Sequence, residues 1–240
     1  MPSKPNKTAE EKLTMKQTIR REIFAWFWVG LIFLLVNGAI GQARVIPSGS
    51  MENTLLIGDH LIMSRIGYDA GIPFTNLHVP LWRNPKRQQI VIFRPVIPGE
   101  ESDVIKRVIG LPGETIDIRD GSVWINGARL AENYTLGRTE PADPSQFLAA
   151  FQAKTHVFPY TVPQDCYFVM GDNRQNSLDS RYVGCIPRNH IIGTPVMIYM
   201  SIDGQARSWG AGGVSARALA YLNAAFHPSE IRWRRLFRIF

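Results

Sequence analysis

Apolar residues are distributed along the chain as one continuous run near the start, followed by shorter runs. Residues 23–40 are apolar apart from Asn37 and Gly38, and as a helix they would be about 27 Å long. That length is at the short end of what crosses a bilayer core. A buried core helix would show polar residues at helical spacing, and a cleaved leader would leave the following segment without support. We therefore predict one transmembrane helix over 23–41, after a basic N-terminus over 1–22.

The rest of the chain has mainly β-type patterns. Short runs rich in β-branched and aromatic residues, bounded by Gly or Pro, predict strands at 60–66, 89–93, 104–109, 115–119, 122–125, 128–130, 167–170 and 196–201. Asp120-Gly121 and Asn126-Gly127 permit the positive φ angles of tight hairpin turns. We predict a mainly β domain over 44–203, with an insertion at about 131–160 that carries a short helix from Asp143 to near Ala153.

The last part of the chain, 204–240, reads as a connector and a tail. Residues 204–213 are rich in glycine, and Ser215–Phe226 predicts a helix that is too short to span a membrane. Residues 231–240 alternate arginine with bulky apolar residues. This pattern suits an amphipathic segment at a lipid headgroup layer, and it equally suits an edge strand or a tail docked on the core.

The net charge of +7 is concentrated at the two ends of the chain. Residues 1–22 carry six basic and three acidic residues, and 228–240 carry four and one, so each end contributes +3 and the body +1. A nucleic-acid-binding domain would carry its basic patch on the folded part. We expect no nucleic acid partner and expect a phospholipid bilayer instead. The basic flank places the N-terminus in the cytoplasm and residues from 44 onward outside.

Cysteine and histidine usage limits the cofactor chemistry. Cys166 and Cys185 flank a polar block at 171–181, and they would pair in an exported domain or remain as two buried thiols. The five histidines are scattered, and no Cys or His cluster has zinc-ligand spacing. We predict neither a metal nor a cofactor.

Two residues stand out as candidates for nucleophilic chemistry. Ser50 lies shortly after the apolar run, and Lys106 lies in an apolar strand. A serine hydroxyl needs a base, and no G-x-S-x-G or S-x-x-K pattern is present. Burial lowers the pKa of a lysine and allows its amine to act as that base. The alternative is a lysine that reaches out of a half-buried strand.

The polar block 171–181 favours the catalytic interpretation over a solvated loop. Its aspartates can pair with arginines and hold the loop rigidly, and Ser177 can hydrogen-bond to a buried amine. Strand alternation also places Val104 and Val108 on the same face as Lys106. We therefore predict a Ser50/Lys106 dyad.

Three segments, 46–59, 105–113 and 170–184, closely resemble the sequence boxes of bacterial type I signal peptidases. The resemblance covers about 20–200 and implies a domain of coiled antiparallel β-sheets in which Ser50 is the nucleophile and Lys106 the general base. The resemblance also implies that the Ser48 hydroxyl and the Ser50 N–H form the oxyanion hole and that Ser177 orients the Lys106 amine. It implies two structural ion pairs, Arg107–Asp172 and Asp179–Arg181. Finally, it implies that shallow substrate pockets are lined by four apolar residues: Ile46, Met51, Leu55 and Ile105.

The chain departs from the family pattern in three respects. Asn53 replaces the usual proline, Arg44 replaces an aromatic residue, and the two cysteines do not coincide with those of some relatives. Alternation also places Ile105 on the strand face opposite Lys106.

The resemblance implies a membrane-bound serine endopeptidase that removes N-terminal signal peptides from exported preproteins through an acyl-enzyme. It would be a single-pass protein of the bacterial cytoplasmic membrane, with its catalytic domain on the outer face and in contact with the export pathway. One alternative is a peptidase dedicated to a conjugation or pilus subunit. Others are a soluble self-cleaving repressor, in which the apolar run would have no place, and a catalytically silent membrane-anchored binding domain.

Overall fold

The computed structural model describes residues 7–35, 42–71, 78–97, 99, 102–141, 157–203, 209 and 213–240. Helix α1 is Lys7–Leu35, and its apolar side chains from Ile23 to Phe33 are largely exposed. Within these described ranges, no helix has both the length and the apolarity needed to cross a membrane. The transmembrane helix predicted over 23–41 is therefore not confirmed, and its last six residues fall outside the described part.

The described chain is mainly β, as predicted. The strands are β1 (Gln42–Val45), β2 (Asp59–Ser64), β3 (Asp69–Gly71), β4 (His78–Pro80), β5 (Ile90–Phe93), β6 (Val104–Gly110), β7 (Thr115–Arg119), β8 (Ser122–Ile125), β9 (Ala128–Arg129), β10 (Tyr160–Thr161), β11 (Cys166–Met170), β12 (Ile186–Pro187) and β13 (Ile191–Ser201). Two further helices are α2 (Ser180–Val183) and α3 (Gly213–Phe226). Single 3-10 turns form at Gly49–Met51, Arg188–His190, Pro228–Glu230 and Trp233–Arg235.

Seven strands form one curled antiparallel sheet in the order β1-β2-β13-β5-β6-β11-β12. A second sheet has the order β10-β7-β8-β9. Its hairpins turn at the two predicted dipeptides, where Asp120 and Asn126 have φ angles of 55° and 50°. The short helix predicted from Asp143 falls in 142–156, outside the described residues, whereas α3 confirms the helix predicted at 215–226.

The centre of the larger sheet carries the residues that define the site. Along β6, Val104 and Val108 pack into one apolar cluster, while Ile105 packs into another on the opposite face. Lys106 therefore lies between two apolar neighbours on its own face, as alternation predicts. Cys166 and Cys185 form a disulfide, which closes the segment that contains the polar block 171–181.

The C-terminal tail docks on the large sheet. The Phe237 N–H donates to the carbonyl of Ile198, and the Ile198 N–H donates to the carbonyl of Arg238. Arg235 binds the fully buried carboxylate of Asp59 through Nε, at 3.0 Å, and through Nη2. Of the two interpretations of the alternating tail, the described contacts favour docking on the core.

We expect Arg235→Met to lower the free energy of unfolding by about 3 kcal/mol, because it removes the main partner of a buried carboxylate. Urea unfolding of the full chain measures this change. Arg234→Met is the matched control, because Arg234 is exposed and adjacent in sequence. Equal midpoints for the two variants would contradict the role assigned to the Arg235–Asp59 pair.

Candidate active site

The large sheet brings Ser50 and Lys106 together. Ser50 lies in the 3-10 turn that follows β1, and Lys106 lies in β6. The Lys106 Nζ is 2.7 Å from the Ser50 Oγ, which is within hydrogen-bond distance of an amine and a hydroxyl. The two residues are 56 positions apart in the chain, so this contact is made by the tertiary fold.

Burial gives the Lys106 amine the properties of a base. Only 4% of Lys106 is exposed. Burial lowers its pKa to about 8, although the carboxylates of Asp179 and Asp172 oppose this shift. The charged form of an amine is disfavoured when its solvation is lost. A substantial fraction of Lys106 is therefore neutral near pH 8 and can accept a proton.

The polar block 171–181 fixes the turn that carries Ser50. The backbone N–H of Asn173 donates to the Ser50 carbonyl at 3.1 Å, and the Asn173 Nδ2 donates to the Gly49 carbonyl at 3.2 Å. Sequence reasoning did not single out Asn173 individually. The available signal was its position in the polar block, directly after Asp172.

Both ion pairs implied by the resemblance are present and buried. Arg107 binds Asp172 through Nε and Nη2 at 2.8 and 2.6 Å, and Arg181 binds Asp179 through Nε and Nη2 at 2.8 and 2.9 Å. Bidentate contacts of this kind are the strongest form of an ion pair. Burial opposes ionisation of Asp179, but Arg181 outweighs it and lowers the carboxyl pKa.

These pairs connect the polar block to the rest of the site. The Asp172 carboxylate also accepts from the Thr54 hydroxyl at 2.6 Å, behind the Ser50 turn. The Asp179 carboxylate accepts the Gly171 N–H at 3.0 Å. The two ion pairs therefore fix the position of the polar block relative to the Ser50 turn.

The structure places the two accessory serines differently. Ser177 is 3% exposed, and in the described part of the chain its hydroxyl makes no hydrogen bond of normal geometry to Lys106. It lies against Gly171 and contributes to lowering the Asp179 pKa. Ser48 is exposed at the start of the Ser50 turn and lines the adjacent cavity.

The four residues expected to line substrate pockets do not line the cavity beside Ser50. Ile46, Met51 and Leu55 are at most 3% exposed and form one apolar cluster, against which Ile105 packs. The reason is the alternation along β6, which turns Ile105 away from the Lys106 face. The cavity of about 500 Å³ beside the dyad is lined instead by apolar side chains on the Lys106 side: Phe93, Val96, Val104, Leu178 and Ile186.

The turn behind Ser50 explains the departure at Asn53. Asn53 has a φ of 87°, whereas proline is locked near −65°. Asparagine tolerates this left-handed conformation better than most residues. Its side chain donates to the Tyr134 carbonyl at 3.0 Å. This chain therefore uses a different turn from one built on proline.

The described residues contain no group of three or more His, Cys, Asp and Glu side chains that could hold a metal ion.

Comparisons with known proteins agree with the sequence boxes. The family described as "Signal peptidase, peptidase S26" matches residues 19–200. "Probable signal peptidase I-2" of Synechocystis sp. is 39% identical over 158 residues, which cover 64% of this chain and 61% of that protein. Signal peptidase I of Leptolyngbya laminosa is 36% identical over 184 residues, with 73% of this chain and 78% of that protein covered.

A solved structure is also similar to this chain. A crystal structure of a signal peptidase I from Enterococcus faecalis is 33% identical and covers 47% of this chain and 97% of its own, with a TM-score of 0.34. The family match extends over well more than half of the sequence. The chain therefore belongs to the signal peptidase family, peptidase S26, and is a serine endopeptidase of the hydrolase class.

Proposed function

We propose that this protein removes N-terminal signal peptides from exported preproteins, with Ser50 as nucleophile and Lys106 as general base. The observation that carries the proposal is the 2.7 Å contact between the Ser50 Oγ and a buried amine whose pKa is lowered to about 8. A catalytically silent domain would have no reason to bury an ionisable amine against a hydroxyl, since burial of such a group is unfavourable.

The neutral Lys106 amine takes the proton of the Ser50 hydroxyl as its oxygen attacks the scissile carbonyl. The tetrahedral intermediate then collapses, and the ammonium of Lys106 returns the proton to the departing amine. The remaining acyl group is an ester of Ser50. Lys106 next removes a proton from water, which attacks this ester, and the ammonium protonates the Ser50 oxygen when the carboxylic acid leaves.

The oxyanion is held by the N–H of Ser50 and the hydroxyl of Ser48. Ser50 is the second residue of a three-residue 3-10 turn, and the first N–H groups of a helical turn have no partner inside it. Ser48 makes no capping hydrogen bond to this turn. Donors aimed at the developing charge are worth several kcal/mol in the transition state.

An extended peptide can bind along β6. In the described chain, β11 pairs with β6 at Arg107, Val108 and Gly110 only. Residues 104–106 are therefore paired on one side, by β5, and have a free edge on the other. A peptide that adds as a strand satisfies such an edge through its backbone. This edge leads directly to Lys106 and the dyad.

We further propose that residues 23–41 anchor the protein as a single pass in the bacterial cytoplasmic membrane. The N-terminus would be cytoplasmic, and the catalytic domain would lie on the outer, periplasmic face beside the export pathway. Support comes from the apolar sequence, its basic flank and the exposure of Trp26, Phe27 and Ile32 on α1. Tethering enzyme and substrate to one bilayer raises their effective concentration.

The test is cleavage of a purified preprotein by the full chain in detergent. We expect Ser50→Ala to lower the rate by about 10³-fold or more, because the nucleophile is lost. The control Ser229→Ala, at an exposed position in the tail, should cleave normally. Undiminished cleavage by Ser50→Ala would refute the assignment.

Cellular depletion addresses the range of substrates. Accumulation of many precursors is expected from a general signal peptidase. Accumulation of a single conjugation or pilus precursor would show a dedicated enzyme instead.

A further inference from the structure

The segment 132–136, at the start of the predicted insertion, packs against the residues that support the candidate active site. The Leu136 N–H donates to the Asp172 carbonyl at 2.7 Å, and the Arg174 N–H donates to the Leu136 carbonyl at 3.0 Å. These bonds form a parallel bridge between Leu136 and Asn173. The backbone of the segment is therefore joined to the part of the polar block that holds the nucleophile turn.

A buried ion pair also joins the segment to the polar block. Both carboxylate oxygens of Glu132 accept from the Arg174 guanidinium, one of them from Nη1 at 3.1 Å. The Arg174 side chain is fully buried, and only 7% of the Glu132 side chain is exposed. The Nε of the same guanidinium donates to the Gly171 carbonyl at 3.0 Å. Glu132 therefore orients an arginine that holds Gly171, the residue that faces the Ser50 carbonyl.

Tyr134 joins the segment to Arg107, which follows Lys106 in β6. The Tyr134 ring lies over the Arg107 guanidinium, with 3.9 Å between the ring centre and Cζ. A cation over an aromatic face is attracted by the ring. The Tyr134 hydroxyl donates to the Glu132 carboxylate at 2.8 Å. Burial and this carboxylate raise the pKa of Tyr134, so the hydroxyl stays protonated. The ring thereby holds the plane of the guanidinium that binds Asp172.

The segment also contacts the turn that contains Ser50. Asn53 replaces the proline of the family pattern, and its Nδ2 donates to the Tyr134 carbonyl at 3.0 Å. The φ of Asn53 is 87°, a conformation that a proline ring cannot adopt. In this chain the turn is therefore restrained by a contact with Tyr134 and not by a proline ring.

We propose that Glu132 and Tyr134 are positioning residues for the cleavage reaction. Each acts through one arginine, Arg174 or Arg107, and together they fix the nucleophile turn relative to the strand that carries the base. The inference rests on the proposed function. In the described chain, both residues lie outside the lining of the cavity beside the dyad. Their substitution should therefore lower kcat, which depends on the alignment of the dyad, and leave KM nearly unchanged.

The first experiment measures kcat and KM of the full chain in detergent, on a purified preprotein, for two variants of Tyr134. Tyr134→Leu removes the ring from Arg107, and we expect kcat to fall about 10-fold with KM within about 2-fold. Tyr134→Phe keeps the ring and loses only the hydroxyl, so we expect its kcat to fall about 3-fold at most. Equal kcat values for the two variants would overturn the role of the ring.

The second experiment separates positioning from folding at Glu132. Glu132→Gln leaves the Arg174 charge buried without its counter-ion, which is strongly destabilising. The double variant Glu132→Gln/Arg174→Met lacks both charges, so we expect urea unfolding to show a folded protein. It also lacks the donor to the Gly171 carbonyl, and we expect its kcat to be about 10²-fold lower. If the pair served folding alone, this double variant would have normal kcat, and that result would refute its positioning role.

Asp120→Asn is the matched control for the loss of a carboxylate. Asp120 is exposed at the turn between β7 and β8, and asparagine is equally suited to its positive φ. Both kcat and KM should stay unchanged in this variant.

If Tyr134→Leu and the double variant cleave with the kcat of the unmodified protein, the inference fails and the proposed function stands. If the unmodified protein cleaves no preprotein, the proposed function fails together with the inference.

Discussion

We expect Lys106→Met to lower kcat/KM by about 10³-fold or more, since a general base contributes up to about 10⁴ and the dyad acts as one unit. Methionine is similar to lysine in length and cannot accept the Ser50 proton. The measurement is cleavage of a preprotein at pH 8. Retention of most of the activity would exclude Lys106 as the base.

The same substitution should raise the free energy of unfolding. A loss of activity in Lys106→Met can therefore be assigned to the lost base and not to misfolding. Burial lowers the pKa of Lys106 from 10.5 to about 8, so at pH 7 the unfolded state binds this proton more tightly. The difference is a penalty of roughly 3 kcal/mol on the native state. Methionine removes this penalty. Urea unfolding at pH 7 should show a higher midpoint for Lys106→Met, and no change for the exposed control Lys86→Met.

The pH dependence follows from the same shift. Below about pH 8 the Lys106 amine is protonated and cannot act as a base. We therefore expect kcat/KM of the unmodified protein to rise about tenfold per pH unit on the acid side and to level off above about pH 8. The free energy of unfolding should also rise with pH between about 8 and 10.5, because in this range the unfolded state still binds the proton that the native state has released. A flat rate profile between pH 6 and 8 would contradict the assignment.

We expect Gly171→Ala to abolish most of the activity although it adds a single methyl group. A Cβ at this position would lie 2.5 Å from the Ser50 carbonyl oxygen and 2.6 Å from the Ser177 Cβ, and it would also meet the Ser177 Oγ. The first of these atoms is backbone and cannot move without shifting the Ser50 turn. A displacement of about 1 Å at a catalytic group costs about 10²-fold in rate.

Overpacking of this kind also lowers stability by about 1–3 kcal/mol. Steady-state kinetics together with urea unfolding give both quantities. The matched control is Gly30→Ala on α1, where a Cβ meets nothing within 4 Å; activity should stay unchanged there and stability should not fall, because alanine is the better helix former. Full activity in Gly171→Ala would show that the turn holding Ser50 has more freedom than these contacts allow.

Sequence patterns predicted the local structure well. The strands at 104–109 and 167–170 match β6 and β11 closely, and both hairpins form at their Asp-Gly and Asn-Gly turns. These features depend on residues that are near one another in the chain. Alternation of side chains and the conformational preferences of glycine and asparagine operate at that range.

Other predictions needed contacts between distant segments and were less complete. The sequence left open whether Cys166 and Cys185 pair, and whether the tail docks on the core. Ile46, Met51 and Leu55 form one apolar cluster, against which Ile105 packs, and the cavity beside the dyad has other lining residues; their role in substrate pockets stays a prediction. Asn53 fits a left-handed turn that the sequence alone did not predict.

The sequence by itself determined the strand pattern, the charge distribution, the family and the identity of the candidate nucleophile and base. Only the tertiary structure decided that the Lys106 amine lies against the Ser50 hydroxyl, that Asn173 fixes the Ser50 turn and that Arg235 in the tail pairs with Asp59. The physical reason is that a lowered lysine pKa and an ion pair between distant segments depend on burial and distance in space. Both are properties of the packed sheet and not of neighbouring residues in the chain.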